Sequence, residues 1–134
     1  MEISHLDHLV LTVCDVEKTA TFYEAVLGMQ RVVFGKGRLA LKFGRQKINL
    51  HEQGREFEPK VNIPVPGSAD LCFITPLDLK TAMGHIESCG VEIIIGPVER
   101  TGANGPILSF YFRDPDQNLI EVATPIAPQE QNHD

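Results

Sequence analysis

Apolar and polar residues alternate from Leu6 to Val13, with Leu9, Leu11 and Val13 on one side and His8, Val10 and Thr12 on the other; this is the pattern of a strand. The period then changes. Asp15 stands where an N-cap belongs, Val16, Ala20, Tyr23 and Leu27 recur along one helical face, and Gly28 follows as the residue that ends the helix. Three short strands come next, Gln30 to Phe34, Leu39 to Phe43 and Lys47 to Glu52, separated by Gly35-Lys36-Gly37 and Gly44-Arg45-Gln46. The polar stretch from Gln53 to Gly67, with Pro59, Pro64 and Pro66, reads as a linker or a loop lying over something. Then the order starts again. Asp70 to Thr75 reads as a strand, Leu77 to Cys89 as a helix with Leu79, Met83 and Ile86 inward and Gly90 as its stop, and Val91 to Ile95, Ile107 to Arg113 and Leu119 to Ala123 as three further strands.

The halves register by position: His8 to Gly28 and Asp70 to Gly90 span the same 20 residues, and Ile48-Asn49-Leu50 overlays Ile120-Glu121-Val122. This predicts an α+β fold of two βαβββ repeats that pair into a curved eight-stranded mixed sheet. One domain would cover 1–125, with repeats at 3–52 and 68–124 joined by a linker at 53–67, and a flexible tail at 126–134. Asp114-Pro115-Asp116-Gln117-Asn118 supplies the turn of the last hairpin. In its second strand Glu121 lies on the face opposite Ile120 and Val122, either solvated or aimed into a site.

Composition narrows the function. An apolar share of 43% and a charged share of 22% fit a globular chain of 134 residues with a sizeable core. The net charge of -6, with no basic block, argues against nucleic acid or an anionic membrane and leaves a small molecule as the expected partner. No segment has the length of a membrane span or the pattern of a signal peptide, so the expected compartment is the cytoplasm. Cys14, Cys72 and Cys89 are odd in number, lack Cys-x-x-Cys spacing and read as buried thiols.

His8 in the first strand, Asp114-Pro115-Asp116 before Ile120-Glu121 in the last hairpin, and this element order resemble the vicinal oxygen chelate superfamily of glyoxalases, bleomycin-resistance proteins and extradiol dioxygenases. The resemblance runs from about Ile3 to Thr124. Asn49-Leu50-His51-Glu52, Pro64 to Ser68 and Arg100 to Asp116 are similar to the glyoxalase domain-containing proteins within it. It implies metal ligands on the first and fourth strands of both repeats, which map to His8, Asn49, Asp70 and Glu121. His8 and Glu121 match the usual residues. Asn49 and Asp70 depart from them, while His51 shares the strand face of Asn49, so the implied ligand set is His8, His51, Asp70 and Glu121.

Such a set suits a divalent ion (Zn, Ni, Co, Mn or Fe) with open positions for two neighbouring substrate oxygens. Glu121 and Tyr111 are the catalytic candidates. Arg100, ahead of the glycine-rich Thr101-Gly102-Ala103-Asn104-Gly105, and Ser109 and Arg113, on the side of Tyr111, are the candidates for substrate binding. Tyr111-Phe112-Arg113-Asp114-Pro115 resembles the signature around the extradiol dioxygenase tyrosine, but Gly102-Ala103-Asn104 stands where that family's catalytic histidine belongs. The leading expectation is a metal-dependent lyase or isomerase of glyoxalase type; an extradiol-type dioxygenase and a metal-free binding or resistance protein are the alternatives. The resemblance also implies a homodimer.

Overall fold

The computed structural model describes residues 1–127. Of the tail expected at 126–134, residues 128–134 lie outside the described residues. The chain forms two compact units, one of residues 1–69 with Asp114–Asn118, the other of Asp70–Arg113 with the residues from Leu119 on.

The first unit contains β1 (His8–Val13), α1 (Val16–Leu27), β2 (Gln30–Phe34), β3 (Arg38–Phe43) and β4 (Gln46–Glu52). The sheet order is β1-β4-β3-β2, parallel between β1 and β4 and antiparallel elsewhere. α1 begins where expected because the Asp15 side chain accepts a hydrogen bond from the Lys18 N–H, and it ends at Gly28, whose φ of 66 is left-handed. It lies against β2, β3 and β4. Leu11 and Val13, Leu41, and Ile48 and Leu50 from the sheet are buried, as are Ala20, Tyr23 and Val26 from the helix. Each large apolar side chain so buried contributes about 1.5–3 kcal/mol.

Tyr23 also holds a polar knot. Its hydroxyl donates to Asp114 Oδ2 at 2.7 Å, and the same carboxylate accepts from the backbone N–H of Asp116 and Asn118 and from Asn118 Nδ2. Asn118 Oδ1 in turn accepts from the Ala69 N–H at 2.8 Å. Burial and the neighbouring Asp114 charge push the Tyr23 hydroxyl pKa far up, so it stays a donor. The Asp-Pro-Asp turn thus serves as a buried structural clamp.

The second unit contains β5 (Asp70–Ile74), α2 (Leu79–Ser88), β6 (Ile95–Gly102), β7 (Gly105–Arg113) and β8 (Leu119–Pro125), in sheet order β5-β8-β7-β6. The repeat is visible in the register: His8 faces Lys47 and Val10 faces Asn49 in one sheet, as Asp70 faces Leu119 and Cys72 faces Glu121 in the other. The eight strands therefore fall into two four-stranded mixed sheets, each closed within its own repeat. α2 starts at Leu79, since Asp78 caps it by accepting from the Thr81 N–H at 3.2 Å.

Three details depart from expectation. β6 runs from Ile95 to Gly102, beyond the apolar stretch Val91 to Ile95 read from the sequence, and a register irregularity between Ile95 and Val98 accommodates Gly96-Pro97. Gly102 and Gly105 belong to the two strands of a tight hairpin, leaving only Ala103-Asn104 between them. All three cysteines are exposed. No helix among the described residues is long and apolar enough to cross a membrane.

Candidate functional site

Alternation along β7 and β8 turns Ile107, Ser109 and Tyr111 to the same side as Glu121, because antiparallel partners share a face and Tyr111 pairs with Glu121. Cys72 pairs with Glu121 from the other side, so Cys72, Glu121 and Tyr111 form one row across three strands. Four residues along β7 from Tyr111, β6 places Arg100 opposite Ile107. Cys72, Arg100, Ile107, Tyr111 and Glu121 line a cavity of about 560 Å³ together with the Thr101–Pro106 hairpin.

Glu121 is half-buried, and its Oε2 accepts a hydrogen bond of 2.6 Å from Ser109 Oγ. Ser109 is itself fully buried. Its hydroxyl is thus held against Glu121 from a position without solvent contact. Although Cys72 is exposed, partial desolvation of its thiol and, second, the Glu121 charge raise its pKa to about 11, so at neutral pH it is an S–H donor toward that carboxylate. Arg100 Nε donates to Tyr111 Oη at 3.0 Å, and its guanidinium lies 5.5 Å from the Tyr111 ring centre. The Tyr111 oxygen thus accepts from Arg100 and keeps its own O–H to donate. Arg113 is exposed at the end of β7 opposite Leu119 and does not line the cavity.

The residues expected to hold a metal are not brought together within either unit. His8 is exposed at the start of β1, with Nδ1 bonded to Asp7 at 2.8 Å. His51 pairs with Thr12, four residues further along that strand, a separation of about 13 Å at the usual strand rise. No single ion spans that gap. His51 is buried, with 3% exposure, and its Nε2 lies 3.4 Å from Arg38 Nη2. A guanidinium can only donate, so that ring nitrogen's lone pair faces Arg38. Burial and, second, the Arg38 charge hold the His51 pKa below the ordinary imidazole range.

In the second unit Asp70 is exposed and faces Leu119, one step before the Cys72–Glu121 pair and outside the cavity lining. Among the described residues no three His, Cys, Asp or Glu side chains form a group able to hold a metal ion. Within each unit taken by itself, the implied donors do not fit a shared ion. Sequence reasoning missed Cys72, Arg38 and Phe57, the last of which lies 4.6 Å from the Arg38 guanidinium and edge-on to His51.

Two βαβββ units of equal strand order, one with a half-buried carboxylate lining a cavity on its sheet, define a vicinal-oxygen-chelate architecture. The chain belongs to the Glyoxalase/Bleomycin resistance protein/Dioxygenase superfamily, whose family model matches residues 5–122. It is 57% identical over 123 residues to a virulence protein of Salmonella typhimurium, STM3117, covering 92% of this chain and 85% of that one. It is 54% identical over 124 residues to the glyoxalase domain-containing protein RDO1 of Mycosarcoma maydis, covering 92% and 70%. Among solved structures, an integron cassette protein from the mobile metagenome of V. cholerae is similar with a TM-score of 0.93 and 65% identity, covering 94% of this chain and 98% of that one.

Proposed function

We propose that the chain is an enzyme of glyoxalase type, a lyase or isomerase that moves a proton between neighbouring carbons of a small oxygen-bearing substrate held in the cavity of the second sheet. The observation that carries this reading is Glu121, oriented on one oxygen by Ser109 and lining a cavity that also holds the paired Tyr111 and Arg100. In a hemithioacetal of a 2-oxoaldehyde, Glu121 takes the proton from the carbon bearing oxygen and sulfur, and the electrons move to the neighbouring carbonyl. The Tyr111 O–H and the Arg100 cation stabilise the oxygen on which charge develops. Glu121 then returns the proton to the neighbouring carbon while the hydroxyl proton of the first carbon passes to the neighbouring oxygen, giving a hydroxyacyl thioester with all atoms conserved. A homodimer is part of the reading.

A second reading, a small-molecule binding protein without turnover, rests on Asn49 and Asp70, which stand where the family's usual metal-binding Glu and His belong. Thioester formation from 2-oxoaldehyde–thiol adducts, followed by absorbance for the wild type and Glu121→Gln, tests the proposal beside the metal content of the wild type, His8→Ala and Glu121→Ala. Turnover lost in Glu121→Gln supports the enzyme. Saturable binding with no turnover in any metal-loaded form replaces it with the binding protein. A stoichiometric divalent ion lost in both alanine variants would return His8 to the site.

A further inference from the structure

We propose that the first unit carries a second ligand site, an oxyanion subsite built from Arg38, Asn49 and His51 beneath Phe57. Its residues are none of those that line the cavity around Glu121. Strand alternation puts Asn49 and His51 on one face of β4, and Ala40 pairs with Asn49, so Arg38, two residues before Ala40, comes across from His51. The 3.4 Å approach of Arg38 Nη2 to His51 Nε2 agrees with that register. Asn49 and His51 are 6% and 3% exposed. Yet Arg38 Nε, Asn49 Oδ1 and His51 Nδ1 are buried polar atoms with no hydrogen-bond partner. A single such group costs a fold about 1–3 kcal/mol, and three on one face of two adjacent strands mark a place shaped for something else.

The donor pattern defines the ligand. Arg38 donates to Nε2, so in the neutral imidazole Nδ1 carries the proton. The subsite therefore offers two N–H donors, one of them cationic, and one carbonyl acceptor. Its complement is a small oxyanion that keeps a hydroxyl: two acceptor oxygens for Arg38 Nε and His51 Nδ1, and an O–H for Asn49 Oδ1. A hydroxycarboxylate and a hydrogen phosphate share this chemistry. Charge agrees with it. Arg38 makes no ion pair among the described residues; its guanidinium stacks on Phe34 at 4.9 Å and on Phe57 at 4.6 Å, which removes water without neutralising the charge. Lys42 and Lys47, paired with each other, stand on the same face. Glu56 and Glu58 of the linker also face His51, but Glu56 accepts from the Gly54 N–H and Glu58 pairs with Lys60.

The test is a titration of the intact protein with glycolate and, separately, with inorganic phosphate at constant ionic strength in chloride, read on the imidazole nitrogens of His51 by NMR. The ring is assigned by loss of its signals in His51→Gln. A saturable shift with one anion and not the other names the source. The apparent dissociation constant should rise at least tenfold in Arg38→Lys, which keeps the cation but withdraws the Nε donor, and in Asn49→Asp, which sets a like charge against the ligand. Glu121→Gln should leave the shift unchanged, so failure here and failure of the proposed reaction are separable. No saturable shift with either anion in the wild type overturns the subsite, as does a shift that both folded variants retain.

Discussion

At the scale of single residues, Ser109 is the sharpest case. Its hydroxyl is the donor seen on Glu121 Oε2, at 2.6 Å from a position with no solvent contact. Ser109→Ala should lower kcat about tenfold to a hundredfold with little change in KM, since a hydrogen bond to a charged group contributes about 1.5–3 kcal/mol. Ser109→Thr, which keeps the hydroxyl, should recover most of the loss. A change confined to KM would show that Ser109 contacts substrate instead. His51 gives a pH prediction. Its folded pKa is lowered, so the unfolded chain binds more protons, and stability falls as pH drops below about 6.5 and on through the folded value. Denaturant midpoints between pH 7.5 and 5 should fall less steeply in His51→Gln. How much of this was legible depends on what alternation encodes. Alternation put Ser109, Tyr111 and Glu121 on one face, but a face says nothing about depth, so the full burial of Ser109 was not legible. The resemblance, and not alternation, grouped His8 with His51. Their separation came from the pairing of His51 with Thr12, which no single strand records.

Among the elements, helices and most strands were readable because their signals are local: Asp15 and Gly28 cap α1, and β2 falls at Gln30–Phe34 as expected. β6 was not, because Gly96-Pro97 reads as a break, whereas an edge strand tolerates proline where its N–H is not needed. Gly96 makes that strand possible. Its φ is 143, and a Cβ there would lie 2.4 Å from Phe110 Cβ and 2.8 Å from Phe110 Cα. Neither neighbour is the end of a flexible chain. Gly96→Ala should therefore cost about 2–5 kcal/mol by combining overpacking with a disfavoured backbone angle. Gly28→Ala, with a φ of 66 and nothing within 4 Å of the added carbon, should cost only about 1 kcal/mol. Equal losses in urea unfolding would show that strain in the backbone, and not the approach of Phe110, governs the site.

For the whole molecule, the repeat was legible because two halves with the same spacing and apolar phase constrain one another. What each half leaves uncovered was not. Ile3, Leu6 and Val10 lead into or lie on β1, which is an edge strand, and are 77%, 56% and 45% exposed. In the other unit Ile74 and Leu77, on or just after the edge strand β5, are 57% and 50% exposed. Apolar side chains gathered at the edge strands of both units are the kind of surface that self-association covers. The expected state is a homodimer, and sedimentation at micromolar concentration should give twice the chain mass. Val10→Glu and Ile74→Glu, each placing a charge at such an edge without touching the cores, should shift the protein toward monomer, with dimer dissociation at least tenfold easier. Lys36→Glu, in the turn between β2 and β3, is the control for charge alone. A wild type that stays monomeric at a hundredfold higher concentration would mean that these side chains are solvated singly, as scattered surface apolar residues often are. A dimer untouched by both glutamates would place its interface away from β1 and β5, and the second sheet's cavity would then have to work as the single chain builds it.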